Sequence, residues 1–386
     1  MTRMSPRDIL AKLVSFPTVS RDTNLPLVDW VEAYLSSHGI SSHRYWHPSG
    51  EKAALFAHVG PWEPGAVVLS GHTDVVPVDG QDWSTDPFTL TEKDGRLYGR
   101  GTCDMKGYDA LAIWALVEAQ QMDLTRPLQL ALSFDEEIGC TGAPPMIAAM
   151  QEVLPKGSDV IVGEPSMMQV VTGHKGGVSF RTHVRGFEVH SSLLHKGVSA
   201  VMQAARLIDW GNQRNAEAAA ATPREVAAMF DPPWSSWHVG VVQGGTAHNI
   251  TAKDCHFEIS VRVVPGDDAD ALARDYRSFA TQVRREVQAI HPDADVVLAR
   301  GFGVPPLTPE TDGRAETLAR QITGDNGNHV VSYATEAGQF QEAGYSAVVC
   351  GPGDIAQAHQ PDEFIAIEQL HQGQDFMRNL LSRLRA

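Results

Sequence analysis

Cysteine is scarce and unpaired here: four residues in 386, Cys103, Cys140, Cys255 and Cys350, with no CxxC or CxxxC spacing. A disulfide framework and a cysteine-built zinc ribbon are thereby excluded. Positive charge is also in short supply, with 31 Lys and Arg against 47 Asp and Glu and a formal net charge of −16. That balance disfavours nucleic acid and anionic membrane as partners. No apolar run approaches the roughly 18 residues a spanning helix needs. The N-terminus reads as the start of an amphipathic helix rather than a secretory signal. A soluble, cytoplasmic protein is expected. Internal repeats and low-complexity tracts are missing too.

What is present is a globular composition, 42% hydrophobic and 20% charged, on a chain long enough to predict two domains. Ser5, Pro6 and Asp8 form a helix-start signal and Pro17 a stop. A second helix is expected around 27–37. Apolar strands then alternate with helices such as 108–122, which predicts an α/β fold: a mostly parallel sheet sandwiched by helices. From Gly176 the pattern changes to one-sided strands. The order βαββαβ predicts an inserted ferredoxin-like α+β domain. Its expected bounds are 177–290, leaving the catalytic α/β domain as 1–176 and 291–386.

Metal-type residues recur just past the apolar runs of the first and last segments. His72 follows Val67–Gly71, Glu136 and Glu137 follow Leu128–Asp135, and Glu164 follows Asp159–Gly163. Asp104 sits in a loop punctuated by Gly99, Gly101 and Gly107, and His359 follows Ala347–Gly353. Ligands of open α/β sheets bind beyond the carboxyl ends of the strands, so these positions should converge. Two imidazoles with several carboxylates suit zinc, cobalt or manganese, which reads as a two-metal hydrolase. Asp104 is the expected bridge, because one carboxylate can span two cations. Adjacent carboxylates repel unless a cation or proton relieves them; Glu137 is assigned to metal and Glu136 to proton transfer. Asp74, two residues beyond His72, is placed to orient that imidazole. Arg262, on the polar face of a strand, could pair with a substrate carboxylate.

Ser70–Pro77, the Gly99–Gly107 loop, Asp135-Glu136-Glu137 and Gly163-Glu164-Pro165 together resemble metallopeptidase family M20. Thr335-Glu336-Ala337-Gly338 and the stretch from Cys350 through Glu363 resemble its acetylornithine deacetylase branch. The resemblance runs nearly end to end. It implies two zinc ions per subunit (cobalt or manganese as substitutes), one held by His72, Asp104 and Glu164, the other by Asp104, Glu137 and His359. It further implies a cis peptide between Asp104 and Met105, and a homodimer through the inserted lid domain. In such a dimer His190 would reach the partner's site, and Asn249 would approach the substrate. The expected substrate is a small N-acyl amino acid, with N-acetylornithine first and dipeptides or other acyl amino acids as rivals. Glu336 is the expected acidic partner of the substrate's side-chain amine, from a loop beside the crevice.

Overall fold

In the computed structural model, which describes residues 1–385, Ser5 caps the first helix, Pro6–Val14, in a reciprocal capping box with Asp8. That matches the start signal in the sequence. The second helix, Leu25–Ser37, begins at a proline-bearing first turn. The helix Lys106–Ala119 is buried on nearly all sides and presents no polar stripe, as a helix enclosed by its own domain must.

The chain divides into two compact units: residues 1–173 with 307–330 and 335–386, and residues 174–306 with 331–334. The first unit contains an eight-stranded sheet. Its centre is parallel, with Leu128–Ser133, Val67–His72, Asp159–Pro165 and Ser346–Gly351 side by side. Ser42–Trp46 and Ala53–Val59 extend one edge antiparallel. The four central strands are buried along their whole length, which explains why their sequences run apolar rather than alternating. A small sheet of Thr91–Lys93, Arg96–Tyr98 and Phe364–Ala366 stands beside it. This second pairing fastens the C-terminal segment carrying His359 to the segment that leads into the Asp104 loop.

The second unit is a four-stranded antiparallel sheet in the order Ser236–Gly244, Asp254–Val263, Gly176–Arg185, Asp295–Val304. The helices Ala200–Ala220 and Ala269–Ile290 complete a βαββαβ order and supply, with the sheet, a separate apolar core. This unit continues to Pro306, beyond the boundary of 290 drawn from the sequence. Strand Asp295–Val304 pairs along nearly its full length with Gly176–Arg185, so cutting before it would strip an edge from the sheet. Among the described residues no helix is long and apolar enough to cross a membrane.

Candidate metal centre

Three of the four parallel strands deliver ligand-type side chains at their carboxyl ends. His72 is the last residue of Val67–His72, Glu136 and Glu137 follow Leu128–Ser133, and Glu164 lies at the end of Asp159–Pro165. Close packing against helix Lys106–Ala119 requires the glycine before Glu164: a Cβ on Gly163 would lie 1.9 Å from the Tyr108 ring. The loop of Asp104 contains Gly101 at φ +84°, a left-handed turn that favours glycine. The Asp104–Met105 peptide is cis, as the family resemblance implied.

The two oxygens of Asp104 face different histidines. Oδ1 is 3.1 Å from His72 Nε2, and Oδ2 is 3.1 Å from His359 Nε2. On the first side Glu164 Oε1 lies 3.6 Å from His72 Nε2; on the second Glu137 Oε2 lies 3.0 Å from His359 Nε2. Such separations are what ligand atoms at about 2.0–2.2 Å from a tetrahedral ion require of one another. His72 Nδ1 is hydrogen-bonded to the Asp74 main-chain carbonyl at 2.9 Å. A carbonyl can only accept, so Nδ1 carries a proton and Nε2 is the ring atom turned toward Asp104, left to ligate an ion once its own proton is displaced. The carboxylate of Asp74 lies farther from His72, at 3.6 Å. It accepts instead from the Glu136 main-chain N–H at 3.1 Å and from Ser20 Oγ at 2.6 Å. Asp74 therefore fixes the imidazole through its backbone and the glutamate pair through its side chain, rather than acting on His72 alone.

Electrostatically the cluster is built for cations. Burial, followed by the charge of Glu137, raises Glu136 to about 8, and burial with the charge of Asp104 raises Glu137 to about 7. Glu164 is also pushed up, by burial and the neighbouring carboxylates. Burial would raise Asp104 as well, but hydrogen bonds to His359 and His72 outweigh it and hold the carboxyl low. Hydrogen bonds to Asp104 and Glu137 raise His359 to about 10. Divalent cations would relieve the crowding of carboxylates and free both imidazoles of their extra protons. With nitrogen and oxygen donors only, the set fits zinc, cobalt or manganese. Glu136 and Glu137 part company in their contacts. Glu137 meets His359, whereas Glu136 Oε2 stays 4.0 Å from His72 Nε2 and Glu136 Oε1 accepts from Cys140 Sγ at 3.1 Å.

The structure corrects the reading of Glu336. It is the N-cap of helix Ala337–Glu342 and only 1% exposed. Its Oε1 accepts from Ser133 Oγ, and its Oε2 faces Ser70 Oγ at 3.4 Å. Both serines belong to the strands that end in ligands, so Glu336 holds those strand ends from within and does not line a substrate mouth. Glu336→Gln should accordingly slow hydrolysis of acyl amino acids with cationic and apolar side chains equally; selective loss on the cationic one would restore the earlier assignment. Burial raises Glu336 to about 7. A carboxyl raised above its unfolded value stabilises fully below about 4.3, and that contribution is lost as pH climbs through the folded value. Metal-free protein should therefore lose stability between about pH 4.3 and 7 more steeply than its Glu336→Gln variant, as thermal midpoints across that window would show.

Sequence reasoning passed over Glu363. Its buried carboxylate accepts from Arg100 at 2.7 Å and from the main-chain N–H groups of Gly101, Cys103 and Asp104 at 2.9–3.1 Å. One residue thus ties the segment after His359 to the loop presenting Asp104. The only available signal was a Glu four positions beyond the histidine. Glu363→Gln would set an amide NH₂ among N–H donors. It should lower zinc affinity about 10- to 100-fold, measured by competition with a chromophoric chelator. Unchanged affinity would mean that the loop holds its shape unaided.

Arg262, His190 and Asn249 all lie on the second unit. Arg262 is exposed on strand Asp254–Val263. His190 and Asn249 are exposed neighbours, joined by the Ser191 N–H to Asn249 carbonyl bond of 2.9 Å and a bridge between His190 and Ile250. His190 Nδ1 lies 2.8 Å from Ser192 Oγ and 3.3 Å from the Ser192 N–H, and among the described residues Nε2 makes no hydrogen bond.

The family model for peptidases M20/M25/M40 matches residues 68–383. The chain is 37% identical over 371 residues to an acetylornithine deacetylase of Myxococcus xanthus, covering 94% of this chain and 93% of that one. It is 32% identical to an acetylornithine deacetylase of Proteus mirabilis, with 97% and 95% covered. An M20 family metallo-carboxypeptidase from Sulfolobus solfataricus superposes with a TM-score of 0.76 at 17% identity, covering 98% of each chain. From the strand-end ligand set and these full-length matches, the chain belongs to the M20/M25/M40 peptidase family.

Proposed function

We propose that the protein is a metal-dependent amidohydrolase that removes the acetyl group from the α-amine of N-acetylornithine, releasing acetate and ornithine. The observation that carries the hydrolytic reading is the Asp104 carboxylate, which presents one oxygen to His72 and the other to His359. His72, Asp104 and Glu164 would hold one ion and Asp104, Glu137 and His359 the other, zinc being the first choice. When bound, such ions polarise an amide carbonyl and acidify water. Nearby cations favour the ionised form of Glu136, bringing it down from about 8 toward the range of an effective base at neutral pH. Glu136 takes a proton from the attacking water and delivers it to the departing amine, so bond making and bond breaking share one proton carrier.

Arg262 supplies a bidentate anchor for the substrate α-carboxylate. His190, through Nε2–H, donates to the oxygen that becomes negative in the tetrahedral stage, with Asn249 beside it. In this reading the enzyme is a homodimer through its inserted unit, and each site takes His190 from the partner subunit. An edge strand, Ser236–Gly244, supports that arrangement, as do Leu193, Leu194, Val241 and Val242, each more than 40% exposed on the same unit. Four buried cysteines without a disulfide suit a reducing, cytoplasmic compartment.

The deacetylase relatives favour N-acetylornithine, while the carboxypeptidase likeness keeps peptides as the second reading. A hydrolysis panel on zinc-reconstituted enzyme separates them. N-acetylornithine should exceed dipeptides in kcat/KM by at least about tenfold; a preferred dipeptide would overturn the substrate while leaving the metal chemistry intact.

A further inference from the structure

On the inserted unit, strands Gly176–Arg185 and Asp254–Val263 are antiparallel neighbours, and their register sets His183 directly opposite His256. The two imidazole rings lie face to face, with centroids 3.9 Å apart and planes inclined by 16°. Asp254 is two residues before His256 and so shares its face of the sheet; its Oδ1 lies 2.8 Å from His183 Nε2. One donor atom from each of the three residues lies within 4.8 Å of the other two. We propose that His183, Asp254 and His256 form a further binding site, for a divalent transition-metal ion, on the open face of this sheet.

The neighbours leave these donors free for an ion. Arg185 is the register partner of Asp254, yet its guanidinium turns to Asp295 at 2.8 Å. Among the described residues the His256 ring makes no hydrogen bond, and its contact is the stack on His183. A face-to-face stack is not the arrangement aromatic rings choose for their own attraction. A cavity of about 380 Å³, lined among others by His183, His256, Gln243 and Glu258, adjoins the pair and has room for water to complete a coordination shell. His183 and Asp254 keep 31% and 45% of their side-chain surface, so an ion can enter directly from solvent. Two nitrogens and one carboxylate oxygen suit zinc, nickel and copper, and copper(II) binds such a set most tightly. The ion would clamp two strands already paired, so binding stabilises the folded unit by linkage.

Copper also offers a readout that the centre around Asp104 does not share. Each side of that centre has one imidazole, His72 or His359, whereas this site has two. Zinc-saturated protein is titrated with copper(II), and electron paramagnetic resonance spectra are recorded for the wild type, His183→Gln/His256→Gln and Asp254→Asn. The wild type should take up one more copper per chain than the double variant, with superhyperfine splitting from two nitrogens. Asp254→Asn should keep the two-nitrogen signal at an affinity about tenfold weaker. All three substitutions lie on the exposed face, and far-UV circular dichroism checks that the sheet is retained. Equal copper uptake by wild type and double variant, or a wild-type spectrum lacking two-nitrogen splitting, overturns the proposal. An Asp254→Asn affinity equal to wild type removes the carboxylate from the site and overturns it as stated.

Discussion

Glu136→Ala should retain the metal content of the wild type and lose about 10²- to 10⁴-fold in turnover, the usual cost of removing a general acid–base group. Glu136 follows strand Leu128–Ser133, its main-chain N–H is fixed by Asp74 at 3.1 Å, and its carboxyl stands 4.0 Å from His72 without meeting His359. Glu137, one residue on, touches His359 at 3.0 Å. Glu137→Ala should therefore lose ions first and activity as a consequence. Metal analysis and turnover measured on both variants decide the assignment. If Glu136→Ala sheds its metal while Glu137→Ala keeps both metal and activity, the two roles are exchanged.

His190→Ala carries the second large expectation: a loss of about 10²- to 10³-fold in turnover, the scale on which an oxyanion donor contributes, with metal content intact. The donor in question is His190 Nε2, which makes no hydrogen bond among the described residues while Nδ1 faces Ser192. Mixing His190→Ala with Glu136→Ala under verified subunit exchange should restore part of the activity. In the hybrid dimer one site combines an intact Glu136 from one subunit with an intact His190 from the other. No restoration, or a fully active monomer, would confine His190 to its own chain or exclude it from the reaction.

The parallel strands were legible in the sequence because full burial on both faces writes itself as unbroken apolar runs, and ligands sit where those runs stop. Pairing of residues far apart was less so. The Arg100–Glu363 pair and the grip of Glu363 on three N–H groups join positions some 260 apart, and no local period records such a contact. Glu336 misled for a related reason. Its neighbours Thr335 and Gly338 suggest a loop, yet the residue caps a short helix and turns inward to Ser133 and Ser70. The boundary near 290 failed because it cut before Asp295–Val304, the closing strand of the βαββαβ order itself, whose pairing with Gly176–Arg185 keeps it in the second unit. The His183–Asp254–His256 group was invisible for the same cause: two strands distant in sequence must be laid in register before their side chains meet.

The most direct test of the whole account is a zinc titration of chelator-stripped enzyme, with bound ions and N-acetylornithine hydrolysis recorded together. Hydrolysis should be absent from the stripped protein and rise as ions fill the two sides of Asp104. The Asp104→Asn variant, deprived of the charged bridge, should stay nearly inactive at the same zinc concentrations. Full activity in the stripped enzyme, or zinc-loaded enzyme that leaves N-acetylornithine intact, would contradict it.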